Sequence, residues 1–273
     1  MFKVGLSSFK DHPDIQLTNK STLYDYARSF NLIELDLGYH VIPAPVQVDK
    51  WVQQVPPSFQ FIPKAYAGMT LQESWQRHYE SESAMFTAFA QSYQPLREAG
   101  KLGIVLFQFS QSFDFSNEHG AYLQKIRHYL PDWPLAVEFR HGSWFQREAL
   151  KKTLGLFQRL KLSLVAVDEP QRGTLPVPFF IYPTSETLLV RCHGRNLAGW
   201  VSGKKEYRTL YQYPPEELQE LQAKILKKAV AFKNVYIIFN NNAGHHAALN
   251  AKSFASLLDL PPVDLHPNQL DLF

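Results

Sequence analysis

Eight short apolar runs constrain the fold of this chain more than any other feature of its 273 residues. Each run is about as long as one strand and is rich in Val, Ile, Leu and Phe, which predicts eight strands. The runs are FKVGLSS (2–8), LIELDLGY (32–39), FQFIPKA (59–65), LGIVLFQF (102–109), LAVEFRH (135–141), LSLVAVD (162–168), LLVRCHG (188–194) and VYIIFNN (235–241).

Helical patterns with end signals lie between several of these runs. They include STLYDYARSF (21–30), SESAMFTAFAQSYQPLREAG (81–100) and PPEELQELQAKILKKAVAF (214–232). The last begins with prolines and acids and ends in lysines, as the helix dipole favours. Eight alternations of strand and helix in roughly 250 residues predict an α/β protein with a single TIM-type (β/α)8 barrel of eight parallel strands. An open doubly wound sheet is the alternative, but the chain has neither GxGxxG nor GxxxxGK[ST] to support it.

The division of the chain into domains follows from its composition. Hydrophobic residues make up 45% of the chain, enough for one large core, and no Gly/Ser-rich linker interrupts it. We therefore predict a barrel over residues 1–260. Residues 261–273, PPVDLHPNQLDLF, contain three prolines and scattered polar residues, and we predict a flexible C-terminal tail there.

Charge and cysteine content exclude several classes of protein. The net charge of +3 is far from the dense Lys/Arg signature of a nucleic-acid-binding domain. It is compatible with an anionic small ligand or with weak, local contacts to nucleic acid. The single cysteine, Cys192, allows neither a disulfide framework nor a zinc site built on cysteines. No run approaches the ~20 apolar residues of a membrane span, and the N-terminus lacks the pattern of a signal peptide. We expect a soluble, cytoplasmic protein with no membrane contact.

Polar residues fall in the C-terminal half of nearly every apolar run. In a TIM barrel, this end of the strands carries the functional site, because the loops that follow the strands converge there. We predict a site at this mouth, with four residues as candidates for catalysis, Glu138, His193, Asp36 and Asp168. The substrate-binding candidates are Lys64, Arg140, His141, Arg191, Asn240, Asn241, Glu34 and Gln108.

These residue types allow more than one chemistry. Arginine and lysine could hold a carboxylate or phosphate, and the carboxylates could supply a general acid and base or cleave a glycosidic bond. Carboxylates and histidines could also hold a divalent metal, but there is no HExxH or other close ligand spacing, and we assign neither metal nor cofactor. Any single Glu–Arg pair could equally be a structural ion pair.

Three blocks at the ends of the apolar runs are the most specific part of the motif order. They are Val137–His141 with Ser143-Trp144, Val190–Gly194, and Phe239–Asn241 with Ala248, Asn250 and Ala251. The order of motifs resembles the YecE-like family, a bacterial family of TIM-barrel proteins to which we can attach no reaction. The resemblance covers the chain from the first strand to the helix after the eighth, and it implies a barrel with a clustered polar mouth. Two positions depart from the family pattern: Ser8-Phe9 stands where a Gly-Trp pair is common, and Thr70-Leu71 where a Thr-His pair is common.

The last five residues, QLDLF, carry a second resemblance. They are similar to the pentapeptide with which bacterial polymerases and repair proteins dock on the DNA sliding clamp. Leu270, Leu272 and Phe273 would be the apolar anchors, and Gln269 would hydrogen-bond at the edge of the pocket. The alternative is that these side chains fold back onto the barrel's own surface.

Three functions are consistent with the sequence. We place first the binding of a small anionic or phosphorylated ligand at the barrel mouth, with acid–base or hydrolytic chemistry by a carboxylate–histidine pair. The second is an enzyme that acts on DNA and reaches it through the sliding clamp, and the third is a ligand-binding barrel without catalysis. The fold alone does not choose between them, since TIM barrels host many chemistries.

Overall fold

A computed structural model of the chain describes residues 1–10, 12–16, 22–171, 173 and 175–266. The described residues contain nine strands, most of them four to six residues long. They are β1 (Phe2–Leu6), β2 (Leu32–Leu35), β3 (Gln60–Pro63), β4 (Val105–Gln108), β5 (Leu135–Glu138), β6 (Leu162–Leu164), β7 (Ala166–Asp168), β8 (Thr187–Cys192) and β9 (Asn234–Phe239).

The helices between the strands include the three that the sequence predicts most clearly. Ser81 begins the third helix, because its hydroxyl accepts a hydrogen bond from the backbone N–H of Ala84. None of the helices in the described ranges is long and apolar enough to cross a bilayer. The α-helices are α1 (Leu23–Ala27), α2 (Pro45–Gln53), α3 (Glu82–Glu98), α4 (Asn117–Tyr129), α5 (Arg147–Leu160), α6 (Leu197–Val201), α7 (Lys205–Arg208), α8 (Pro215–Ala229) and α9 (His246–Leu257).

All strand pairs are parallel, which confirms an α/β protein with parallel sheets. Regular hydrogen bonding forms two sheets, one of six strands in the order β3-β2-β1-β9-β8-β7 and one of three in the order β4-β5-β6. Two isolated parallel bridges, from Phe61 to Leu102 and from Lys64 to Leu106, join the edges near β3 and β4. The regular ladders thus form two sheets rather than one continuous eight-stranded sheet.

The apolar run 162–168 forms two short strands instead of one. Its middle residue, Val165, donates its backbone N–H to the carbonyl of Val137 at 3.0 Å. The residues before it pair with β5, and those after it pair with β8. The predicted sixth strand therefore changes partners at Val165, and this is why the strand count is nine rather than eight.

The two faces of the strands bury different sets of residues. One face packs against the helices and contributes to a large aromatic and aliphatic core. The other face forms a smaller cluster that contains strand and strand-flanking residues from both sheets and no helix residue. We call it the inner apolar layer: Leu32, Ile62, Ile104, Leu106, Ala136, Val165, Val167, Leu189, Tyr236 and Ile238.

The C-terminal part of the chain is described only as far as residue 266. Helix α9 ends at Leu257, and residues 261–266 contain no helix or strand. The residues of the clamp-like motif, Gln269, Leu270, Leu272 and Phe273, lie outside the described residues.

Candidate functional site

The inner face changes from apolar to charged at the carboxyl ends of the strands. Alternate residues of a strand share a face, so Glu34 follows Leu32 inward, Glu138 follows Ala136, and Arg191 follows Leu189. All three charged side chains are completely buried, with exposures of 0%, 0% and 1%. They form the centre of a polar cluster that we call the buried network: Glu34, Gln108, Glu138, Arg140, Glu169, Arg191 and His193.

Arg191 connects three strands within the buried network. Its Nε and Nη2 donate to the two carboxylate oxygens of Glu34 at 2.8 and 2.6 Å, a bidentate pairing. Its Nη1 donates to Oε2 of Glu138 at 2.6 Å and to Oε1 of Gln108 at 2.9 Å. Every nitrogen of this guanidinium therefore donates to an acceptor within the protein.

Arg140 and His193 form the layer above Arg191. Arg140 pairs with Glu169, and its Nη2 lies 2.6 Å from Oε1 of Glu138 and 2.9 Å from Nε2 of His193. Nδ1 of His193 lies 2.8 Å from the side-chain amide of Asn240 at the end of β9. A guanidinium can only donate hydrogen bonds, so Nε2 of His193 is unprotonated in this contact.

Burial and charge set the protonation states of the buried network. Burial alone would raise the pKa of Glu138, but the guanidiniums of Arg140 and Arg191 more than offset this and hold that pKa well below its usual range. Burial and the charge of Arg140 lower the pKa of His193 to about 3. Burial raises the pKa of Glu34, an effect that Arg191 and Lys64 oppose. At neutral pH, Glu138 is ionised and His193 is neutral.

Lys64 and Asp36 form a second ion pair at the same end of the strands. Nζ of Lys64 donates to Oδ1 of Asp36 at 2.6 Å and lies 4.8 Å from the ring centre of Tyr39. Burial acts to raise the pKa of Asp36, but the Lys64 ammonium lowers it to a net value below normal. The carboxylate side chain is half exposed, at 52%, so this pair borders solvent rather than the core.

A cavity of about 710 Å³ lies over the buried network. Its cationic lining residues are Lys64, Arg140 and Arg208, and no carboxylate residue of the described chain lines it. The rest of the lining is amide, hydroxyl, imidazole or aromatic: Gln72, Gln108, Phe109, Ser110, Gln111, Ser112, His193, Trp200, Thr209 and Asn240. The charged groups that the described residues place in the walls are therefore all cationic, and the other polar side chains can both donate and accept hydrogen bonds.

One wall of this cavity comes from the excursion of α6 and α7 that follows β8. Trp200 contacts two guanidiniums, with its ring centre 5.4 Å from Arg140 and 5.9 Å from Arg208. Nε of Arg208 is buried and has no hydrogen-bond partner among the described residues. Arg208 therefore brings a positive charge to the lining of the cavity.

Nine of the twelve predicted catalytic and substrate-binding residues come together at this end of the strands. They are Glu34, Asp36, Lys64, Gln108, Glu138, Arg140, Arg191, His193 and Asn240. The structure does not bring the other three, Asp168, His141 and Asn241, into the buried network or the cavity lining.

Asp168 belongs to a separate polar cluster on the helix-facing side of its strand. Its carboxylate receives a bidentate pair from Arg195, with Nε and Nη2 at 2.9 to 3.1 Å, and a hydrogen bond from the hydroxyl of Tyr213 at 2.6 Å. The Tyr213 hydroxyl also accepts the backbone N–H of Gly194 at 2.9 Å. We call Asp168, Arg195 and Tyr213 the outer cluster; it holds the turn after β8.

His141 and Asn241 also serve local structure. Nδ1 of His141 accepts the backbone N–H of Ser143 at the start of the 3-10 helix Gly142–Phe145. Nδ2 of Asn241 donates to the carbonyl of Tyr211 and to Oδ1 of Asn250, both at 2.8 Å. Both residues sit one position away from an inward-facing residue, so strand alternation directs them outward.

Sequence reasoning missed Glu169, Trp200 and Arg208. Glu169 lies one residue beyond the predicted candidate Asp168, on the opposite face. Val165 and Val167 face the inner apolar layer, so the same alternation directs Glu169 inward and could have identified it. Trp200 and Arg208 lie in a loop excursion, where no strand or helix periodicity indicates the direction of a side chain. Within the described ranges, no three His, Cys, Asp or Glu side chains are arranged to hold a metal ion.

Fold and site together define an α/β protein of parallel sheets with a buried Glu–Arg network at the carboxyl ends of its strands. The chain belongs to the DUF72 family, described as "protein of unknown function DUF72", whose model matches residues 3–270. It is 38% identical to the UPF0759 protein YunF of Bacillus subtilis over 282 residues, covering 100% of both chains. It is 28% identical to the UPF0759 protein YecE of Escherichia coli K12 over 182 residues, covering 64% of this chain and 62% of YecE.

A solved structure of the same family is similar over nearly the whole chain. The crystal structure of a DUF72 family protein from Enterococcus faecalis V583, at 3.10 Å resolution, has a TM-score of 0.94 and 44% sequence identity. The alignment covers 98% of each chain. These relationships confirm the family resemblance drawn from the strand-end motifs.

Proposed function

We propose that this protein binds a small ligand with an anionic group, in the 710 Å³ cavity at the carboxyl end of a closed (β/α)8 barrel. Three observations support closure of the barrel. The bridges at Phe61 and Lys64 link the two sheets on one side. On the other side, β6 and β7 are separated by one residue and belong to different sheets. The inner apolar layer draws residues from both sheets, as a barrel interior requires.

The absence of carboxylates from the lining among the described residues is the observation that carries this proposal. The acidic groups Glu34, Glu138 and Glu169 are buried beneath the cavity and hold the arginines in place. Lys64, Arg140 and Arg208 line the cavity itself. A phosphate or carboxylate would accept charge-assisted hydrogen bonds from these cations.

The protonation states favour binding over acid–base chemistry. A general acid must carry a proton at working pH, yet Glu138 is ionised and His193 is neutral, with a pKa of about 3. Both groups are also engaged by Arg140. In this proposal they hold the floor of the cavity rigid, as expected of a preorganised binding site.

Titration calorimetry with inorganic phosphate, measured on the full chain, tests the proposal. Arg208→Ala should weaken phosphate binding at least about tenfold, because a hydrogen bond to a charged group contributes about 1.5–3 kcal/mol. Arg147→Ala is the matched control, since it removes the same charge from an exposed position on α5 and should change affinity little. Failure of the wild type to bind inorganic phosphate and simple phosphate monoesters at millimolar concentration would overturn the proposal.

Binding to the DNA sliding clamp through QLDLF is a second candidate function. The favouring observation is that residues 261–266, which lead to the motif, contain no regular structure and follow the end of α9. Such a segment could present Gln269, Leu270, Leu272 and Phe273 to a groove on a partner. An enzyme that acts on DNA would then be brought to its substrate by the clamp.

A competition assay with purified bacterial clamp distinguishes a tail that binds the clamp from one that folds back onto the protein's own surface. The full chain should bind the clamp at micromolar concentration, and a synthetic peptide ending in QLDLF should displace it. Replacing both Leu272 and Phe273 with Ala should abolish binding, whereas Leu257→Ala in α9 serves as the control for an apolar residue outside the motif. Absence of clamp binding by the full chain would exclude this function.

A further inference from the structure

A second, smaller cavity adjoins the first at the mouth. It has a volume of about 320 Å³, and its polar lining includes Ser7, Ser8, Asp36 and Asn242. Two side-chain contacts separate the cavities: Lys64 with Asp36 at 2.6 Å, and Ser7 with Asn240 at 2.5 Å. In each contact, one residue lines the larger cavity and its partner lines the smaller one. The two cavities are therefore neighbouring compartments that share a polar wall.

The smaller compartment differs from the larger one in its hydrogen-bonding groups. Asn242 donates its Nδ2 to Ser7 at 2.8 Å, but its Oδ1 is buried with no partner among the described residues. Asp36 accepts the Lys64 ammonium on Oδ1, which leaves its Oδ2 as a second acceptor. Asp36 is half exposed, so its Oδ2 can accept a hydrogen bond from a ligand. Asn242 lines the same compartment, and a rotation of its amide would bring the unpaired Oδ1 to a ligand donor. The smaller compartment is lined by carboxylates, whereas the larger one is lined by cations and by no carboxylate of the described chain.

The charges around the smaller compartment decide which donor fits. A ligand ammonium group would satisfy the acceptors. The carboxylates of Glu34 and Asp36 line this compartment, but each is already paired, Glu34 with Arg191 and Asp36 with Lys64. Lys10 adds a further positive charge to the lining, so the net charge around the compartment is positive and would repel a ligand cation. A hydroxyl donates equally well, carries no charge, and can also accept from the exposed Lys10 and His40.

We infer that the ligand is a phosphorylated polyol, with its phosphate in the larger compartment and its hydroxyl groups in the smaller one. This inference rests on the proposed function, because it assumes that the larger compartment binds the anion. The ligand reaches between the compartments across the Lys64–Asp36 and Ser7–Asn240 contacts. Asn242 and Asp36 then determine specificity by accepting hydrogen bonds from the hydroxyl groups.

The test compares three probes by calorimetry: inorganic phosphate, glucose 6-phosphate and glucosamine 6-phosphate. Glucose 6-phosphate should bind the wild type at least about tenfold more tightly than inorganic phosphate, and more tightly than its amino analogue. Asn242→Ala should reduce the advantage of glucose 6-phosphate over phosphate about fivefold, as expected for the loss of one hydrogen bond. Asn242→Asp, which retains an acceptor oxygen, should preserve more of that advantage. Asn117→Ala on α4, outside both compartments, is the control.

The outcomes distinguish this inference from the function on which it rests. If none of the three probes binds, both are overturned. If phosphate binds but glucose 6-phosphate gains nothing over it, or Asn242→Ala leaves their ratio unchanged, anion binding stands and the polyol compartment is wrong. A preference for glucosamine 6-phosphate would also overturn the inference, because it would show that the smaller compartment accepts a cation.

Discussion

The two halves of the inner strand face differ sharply in chemistry although they lie two residues apart. Leu32, Ala136 and Leu189 belong to the inner apolar layer, and the next inward residues are Glu34, Glu138 and Arg191. Each aliphatic side chain is stabilised by leaving water, whatever its exact neighbours are. Each charged side chain is tolerated only because its partners are present.

This contrast teaches that the buried network acts as one unit. Arg191 is shared by Glu34, Glu138 and Gln108, so the removal of one member leaves others buried without a partner. The apolar layer has no such dependence, and the loss of one methyl group affects mainly its own site.

Arg191→Met should be the most destabilising of these changes, at about 3–5 kcal/mol in the free energy of unfolding. It leaves the carboxylate of Glu34 buried without its guanidinium and leaves that of Glu138 with Arg140 alone. Urea unfolding measures the effect. The triple variant Glu34→Gln/Glu138→Gln/Arg191→Met removes all three charges and should lose less stability than Arg191→Met alone; a larger loss would show that the network is not a unit.

Leu189→Ala tests the apolar half of the same strand. It removes a completely buried side chain from the inner apolar layer and should cost about 3 kcal/mol through lost burial and a residual cavity. The loss, again measured by urea unfolding, should be the same at pH 7 and pH 5, because no titrating group changes. A strong pH dependence would mean that the apolar layer and the buried network are energetically coupled.

Lowering the pH should destabilise the buried network but not the inner apolar layer. His193 takes up a proton near pH 6.5 in the unfolded chain but only near pH 3 in the folded protein. The unfolded state therefore binds more protons within this window, and stability should fall as the pH is lowered, by about 1.4 kcal/mol per pH unit. Glu138, whose folded pKa is depressed, should add a second loss that begins near pH 4.5.

Unfolding experiments at several pH values between 7 and 5, with matched histidine variants, isolate this effect. His193→Asn should flatten the dependence on pH relative to the wild type. His128→Asn, on the exposed side of α4, controls for the loss of a histidine as such. Equal slopes in the wild type and His193→Asn would contradict the assignment of a neutral, buried His193.

Tyr213→Phe tests the outer cluster and should have the smallest effect, about 1–2 kcal/mol. It removes the hydrogen bond to Asp168 and leaves the buried N–H of Gly194 without an acceptor. Tyr211→Phe is the matched control, because its hydroxyl contacts the more exposed Glu217. If Tyr213→Phe lost more free energy of phosphate binding than free energy of unfolding, Asp168 would have to be counted as part of the candidate site.

Much of the candidate site could be predicted because strands impose a simple geometry. The alternation of side chains, together with the convergence of parallel strand ends, brought Glu34, Gln108, Glu138, Arg191 and His193 into one prediction. Once it is known which residues of a strand face inward, the same rule shows that Asp168 and Asn241 face outward, away from the site. That register is set by which residues pack into the inner apolar layer, and a run that is apolar on both faces does not reveal it.

The sequence by itself determined the strand segments, the parallel α/β class, the family, and the end of the strands where polar groups collect. These features depend on periodicity and composition, which are local. Only the tertiary structure decided that Val165 splits the sixth run between two sheets. It also decided that the guanidinium of Arg191 is fully engaged in ion pairs with Glu34 and Glu138. The position of Trp200 and Arg208 in a wall of the cavity is a third feature of this kind. Each of these depends on contacts between residues far apart in the chain, whose energies are set by burial and mutual distance rather than by neighbours in sequence.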